Sequence, residues 1–276
     1  MKERIQKVLG NAGIASRRNI EVMVRDGRIA VNGEVIRTLP ILVDIDKDKI
    51  EVDGESVRFK THRRGPRDDE DERIYVLMNK PRGVYTTNVA QGVQKRAIDL
   101  LPPNFPRVYP VGRLDAETRG LLLLTNDGEL TNRLTHPRYG VAKTYRAVVD
   151  GFVEQSTLKE LEQGVWIRDK AYGKSAKTSG CHAKIVHRER EKTVLDVTLH
   201  ERQNIQARKI LAQLGHKVRD LMRTKMGPLS LDRLQAGEFR PLTPREIRSL
   251  REFAMGRREG ANAAGKPGRR KPNRAK

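Results

Sequence analysis

The chain has 276 residues, enough to bury one sizeable core and to carry a second small module, and its 56 Lys and Arg against 35 Asp and Glu give a formal charge of +21. An excess of that size, spread over much of the chain, points to a polyanion as partner. No apolar run approaches the roughly 18 residues of a spanning helix, and the amino terminus lacks the apolar stretch of a signal peptide, so a cytoplasmic protein that does not use a membrane is expected.

In chain order, Ile5, Val8, Leu9 and Ala12 stand at helical spacing, with Gly13 as a stop. Ser16 is a cap for a second helix that turns Ile20, Met23 and Val24 inward and ends at Asp26-Gly27. A short strand over Arg28 to Val31, an Asn32-Gly33 turn suited to type I′ and a return strand to Ile36 follow. A third strand around Lys49 to Val52 closes the unit near residue 60. This order, with Ser16-Arg17-Arg18 and Gly27-Arg28-Ile29-Ala30-Val31-Asn32-Gly33, resembles the alpha-L RNA-binding module named after a small-subunit ribosomal protein. The resemblance implies an RNA-binding unit over residues 1–60, with Arg17, Arg18, Arg25 and Arg28 set against phosphates. Forked guanidinium donors suit that task.

Residues 61–73 hold no side chain able to anchor them in a core and read as a charged linker. Ile74 to Met78 then reads as a central strand, followed by Asn79-Lys80-Pro81-Arg82-Gly83-Val84 and a polar surface loop over 85–96. Pro110 leads an extended segment into Gly112-Arg113-Leu114-Asp115-Ala116-Glu117-Thr118-Arg119-Gly120. Leu121-Leu122-Leu123-Leu124, closed by Thr125-Asn126-Asp127-Gly128, reads as a strand buried on both faces, since a half-exposed strand would alternate.

Leu130 and Leu134 mark a helix that stops before His136-Pro137. Lys143 to Val149 is a strand with Lys143, Tyr145, Ala147 and Val149 on one face. A helix carrying Leu158 and Leu161 ends near Gly164, and Thr193 to Leu199 is a further strand. The lone Cys181 cannot form an internal disulfide, and no second cysteine stands near it to suggest a zinc site; no metal is expected. Asn204 caps a helix to Leu214, and Thr243-Pro244-Arg245-Glu246 is a capping box for a last helix to about Phe253. Residues 254–276 read as a disordered basic tail. Aromatic residues are only 4% of the chain, so RNA is expected to be held by phosphate contacts and shape rather than by stacking several bases on exposed rings.

Three elements together resemble the pseudouridine synthases of the RsuA and RluB type: Val111 to Leu130 with Arg113-Leu114-Asp115, Lys143-Thr144-Tyr145, and Asn204-Ile205-Gln206-Ala207-Arg208-Lys209-Ile210-Leu211. The resemblance implies an α+β chain, a mixed and largely antiparallel sheet with flanking helices over 74–253. It implies Asp115 as the catalytic carboxylate, Tyr145 packed on the flipped uracil, and Arg208 paired with the carboxylate. Arg113 and Gln206 are implied to touch RNA, Arg113 by filling the vacated stack. Arg202, Ile205 and Lys209 depart from the family's usual Gly, Arg and Arg. The expected activity is cofactor-free isomerisation of a uridine in ribosomal RNA by a monomer. The large subunit is the preferred target. The small-subunit branch shares the domain order, and a non-catalytic RNA-binding assembly factor is the rival from another class.

Overall fold

The computed structural model describes residues 2–59, 73–90, 92–169, 174–200 and 207–256. The chain divides into two compact units, Met1–Glu72 and Arg73–Lys276. The linker expected over 61–73 falls outside the described residues but for Arg73, as does the tail beyond Gly256.

In the first unit β1 (Glu3–Arg4) leads into α1 (Ile5–Asn11), which buries Ile5, Val8 and Leu9. α2 (Arg17–Arg25) buries Ile20, Met23 and Val24, and the Ser16 side chain caps it by accepting from the Asn19 amide at 3.1 Å. β2 (Ile29–Val31) pairs antiparallel with β3 (Glu34–Ile36), and the turn residues Asn32 and Gly33 have φ of 55° and 86°, the signs a type I′ turn needs. β4 (Leu42–Val43) pairs with β1, while β5 (Ile50–Val52) joins the other edge of β2 and carries β6 (Glu55–Ser56). Helix–helix–hairpin and third strand thus lie where the sequence puts them.

The second unit is built on a nine-stranded sheet. Its strands are β7 (Tyr75–Lys80), β8 (Tyr109–Pro110), β9 (Arg119–Thr125), β10 (Ala142–Asp150), β13 (His182–Arg188), β14 (Lys192–His200), β15 (Val218–Met226), β16 (Leu229–Ser230) and β17 (Phe239–Pro241). β11 (Trp166–Asp169) and β12 (Lys174–Lys177) form a separate hairpin. The order is β13-β14-β10-β15-β9-β7-β17, with β16 on β15 and β8 on β9. Every pairing is antiparallel except that of β9 with β15. The helices are α3 (Gly128–Thr135), α4 (Gln155–Gln163), α5 (Ala207–Gln213) and α6 (Pro244–Ala254). This is the α+β fold the sequence implies.

Leu121 to Leu124 are all 0% exposed. Leu122 and Leu124 pack with Val76 and Met78 on one face, and Leu121 and Leu123 with Tyr75 and Leu77 on the other. At about 2 kcal/mol per buried leucine side chain, this strand and its β7 partner are a main anchor of the unit. Asn204 lies outside the described residues, so its cap is not seen; α5 is described from Ala207 and stops before Gly215 at φ +83°. β15 has no counterpart in the sequence reading. Arg219, Asp220, Arg223 and Lys225 interrupt its apolar alternation, although Arg223 is buried.

Candidate active site

Strand register sets a row of residues across the sheet. Lys80 pairs with Gly120, Gly120 with Arg223, Arg223 with Tyr145, and Tyr145 with Val197. Paired residues share a face, so Lys80, Arg223 and Tyr145 project to the same side. Gly120 has φ +105°, and a Cβ there would lie 2.4 Å from the Arg223 carbonyl oxygen. Only glycine lets β9 approach β15 so closely at this point.

Asp115 stands immediately upstream of this row, in the irregular segment before β9, and is exposed. Its neighbour Leu114 is 4% exposed and belongs to the core on the same face as Tyr145. No sheet ladder holds residues 113–115, so other groups must fix them. Those groups come from the end of β7 and the turn after it. Thr86 Oγ1 accepts from the Leu114 amide at 3.0 Å and donates to the Leu114 carbonyl at 2.7 Å. The Ala116 carbonyl accepts from the Gly83 amide at 2.9 Å and from Lys80 Nζ at 3.3 Å. The Asp115 carbonyl accepts from the Thr118 amide at 3.0 Å, closing a turn. Asp115 is therefore an exposed carboxylate on a backbone pinned on both sides.

Lys80 is 0% exposed, yet its ammonium finds three acceptors, with the carbonyls of Val84 at 2.7 Å and Pro81 at 2.9 Å joining that of Ala116. Burial pushes its pKa down to about 8, against the pull of Asp115 and Glu117; Arg223 adds to the lowering. Arg223 is 1% exposed and donates through Nε to the Leu121 carbonyl at 2.8 Å, with Nη2 unpartnered among the described residues.

Arg208 on α5 donates through Nη2 to the Glu117 carbonyl at 3.0 Å and through Nη1 to the Val218 carbonyl at 3.2 Å. It ties the helix to the far end of the Asp115 turn and to the start of β15. Arg82 parallels it, donating to the Arg219 carbonyl at 2.7 Å. Arg119 forks onto Asp220, with Nη2 to Oδ2 at 2.7 Å. Burial would raise the Asp220 carboxyl, but Arg119, then Arg82 and Arg208, outweigh it and hold the pKa below the ordinary value. The ground around Asp115 is thus rich in fixed cations, suited to an anionic polymer.

Tyr145 is 8% exposed and Arg113 exposed; Gln206 lies outside the described residues. In the first unit Arg17, Arg18, Arg25 and Arg28 are all exposed. Arg28 forks onto Asp53 at 2.7 and 2.6 Å, and Arg25 Nε donates to the Glu21 carbonyl at 3.3 Å, so these two are partly engaged. Sequence reasoning missed Lys80, Arg223 and Thr86. The adjacent Pro81 and Gly83 marked the turn, but a buried lysine or a clamp across 28 residues has no local signature.

The fold and site define an RNA-directed enzyme built on a mixed sheet and preceded by a small nucleic-acid-binding unit. Residues 74–213 match the RNA pseudouridylate synthase family and residues 3–39 the S4 domain. The chain is 40% identical over 252 residues to an RNA pseudouridine synthase of Aquifex aeolicus, covering 91% of this chain and 94% of that one. It is 38% identical over 254 residues to ribosomal large subunit pseudouridine synthase B of Bacillus subtilis, covering 91% and 97%. A crystal structure of a pseudouridylate synthase superposes with a TM-score of 0.61 at 26% identity, over 90% of this chain and 99% of that one. The protein belongs to the RNA pseudouridine synthases, which are isomerases, and carries an amino-terminal S4 domain.

Proposed function

We propose that the protein converts a specific uridine of ribosomal RNA, in the large subunit, to pseudouridine, acting as a monomer without a cofactor. The observation that carries the reading is an exposed carboxylate, Asp115, on a backbone held from both sides just upstream of the sheet row of Lys80, Arg223 and Tyr145. The Bacillus subtilis relative supports the choice of the large subunit.

The reaction breaks the C1′–N1 bond, turns the uracil and joins C1′ to C5; C5 loses a proton and N1 gains one. Nothing is oxidised or reduced, and no group arrives from outside. Asp115 serves as nucleophile or as base toward the sugar. A target in folded RNA must first leave its stack, at about a few kcal/mol, and Arg113 is placed two residues from Asp115 to fill the gap. Tyr145 offers a ring for the uracil and a hydroxyl for proton transfer at C5. Arg208 fixes the downstream end of the Asp115 turn. The S4 domain's exposed Arg17, Arg18 and Arg25 take phosphates.

Pseudouridine mapping of ribosomal RNA from cells lacking the protein tests this, with wild type or Asp115→Asn supplied back. One large-subunit position should lose pseudouridine and be restored by wild type alone, the variant being slower by about a thousandfold or more. An unchanged map, or restoration by the variant, removes the reading.

A further inference from the structure

We propose that Thr86 is a positioning residue for the reaction: its hydroxyl fixes the peptide entering Asp115 and so sets the direction of the carboxylate toward the ribose. The proposal rests on the reading of Asp115 above. A threonine hydroxyl has one proton and two lone pairs. Here the proton and one lone pair both engage Leu114, at 2.7 Å to its carbonyl and 3.0 Å from its amide. The Leu114 carbonyl lies in the same peptide plane as the Asp115 nitrogen, so holding that oxygen fixes the plane from which the Asp115 side chain departs.

Further restraints on the turn lie downstream, at the carbonyls of Asp115, Ala116 and Glu117. Thr86 is the upstream counterpart. It is itself held, because the preceding Tyr85 donates its amide to the Lys95 carbonyl at 2.9 Å and accepts from the Ala97 amide at 2.8 Å. The buried Leu114 side chain then acts as a pivot, and the hydroxyl stops rotation about it. A reacting group displaced by about 1 Å loses on the order of a hundredfold in rate.

The same fold contains a control. Thr193 Oγ1 accepts from the Val153 amide at 3.1 Å and donates to the Gly151 carbonyl at 2.8 Å, an equivalent two-way clamp on a turn beside β14 that bears no candidate catalytic residue. The experiment measures single-turnover pseudouridine formation by the full chain on ribosomal RNA from cells lacking it. Dissociation constants for the same RNA and melting temperatures are recorded for wild type, Thr86→Val, Thr86→Ser, Thr193→Val and Asp115→Asn. Thr86→Val should be slower by about ten- to a hundredfold with RNA affinity within about twofold of wild type. Thr86→Ser should recover to within about threefold, and Thr193→Val should keep the wild-type rate whatever its melting temperature.

A Thr86→Val rate equal to wild type while Asp115→Asn is inactive overturns the proposal and leaves the reading of Asp115 intact. So do parallel rate losses in the two valine variants, or no recovery with serine. An active Asp115→Asn overturns the reading itself, and the proposal with it.

Discussion

Lys80 shows how a single residue can serve the site without touching its chemistry. Its ammonium is wholly buried and bound to three carbonyls, one of them next to Asp115. Its pKa is lowered to about 8 from 10.5 by burial, so only the unfolded chain holds this proton between those values. Stability from this group therefore rises with pH across that window. Activity runs the other way, because a neutral amine has two hydrogens for three acceptors and the grip on Ala116 slackens. The single-turnover rate is expected to fall above about pH 8, and Lys80→Met to be slower by about tenfold without that fall. A wild-type rate that stays level from about pH 7 to 9 would dismiss the idea. Asp115, Tyr145 and Arg208 were expected because each sits in a contiguous string, although Arg208 donates to the Glu117 and Val218 carbonyls; Thr86 and Arg223 were not, since their partners lie on other elements, nor was Lys80, whose burial has no local signature.

At the scale of elements, α6 illustrates a signal that survives intact from sequence to structure. Thr243 Oγ1 accepts from the Glu246 amide at 3.3 Å, and the Glu246 carboxylate accepts from the Thr243 amide at 2.7 Å, the reciprocal pair the sequence implies. What sequence does not reveal is Arg240, which forks onto the same carboxylate at 2.8 and 2.7 Å. That bond foremost, with the Thr243 contacts, lowers the Glu246 pKa from 4.5 to about 2. A lowered carboxylate stabilises the fold above its unfolded pKa and loses that contribution as pH falls through the folded one. Glu246→Gln is expected to cost about 1 to 2 kcal/mol at pH 7 by urea unfolding, with the gap narrowing on acidification below about pH 4.5. A gap that persists undiminished into acid would show that shape, not charge, is what matters. β15 is the opposite case, because its charged residues break the alternation by which strands are read, while neighbours on both sides bury Arg223.

Over the whole molecule, a charge of +21 predicts RNA binding that weakens steeply with salt. The S4 domain's share can be separated. Replacing Arg17, Arg18 and Arg25 together by alanine should flatten the plot of log affinity against log salt by about 2 to 3. Replacing Arg28 should change it less, since Asp53 already holds that guanidinium. Binding titrations with ribosomal RNA at several salt concentrations measure both slopes, and an unaltered slope in the triple variant would remove these arginines from the interface. The division into two units was legible because the linker composition breaks the apolar pattern; the sheet order was not, because it depends on one parallel pairing between strands far apart in the chain.

That pairing also sets a clock. The Leu121 carbonyl and the Arg223 side chain that meets it are separated by 102 positions, and contacts across so long a loop form only after its closure entropy is met. As the chain is synthesised, the carboxylate leaves the exit tunnel long before the strand that completes its surroundings. A nascent or truncated chain ending before β15 would display Asp115 with no seam beneath it. The backbone that carries Asp115 therefore gains its neighbouring strand only once β15 has itself been synthesised.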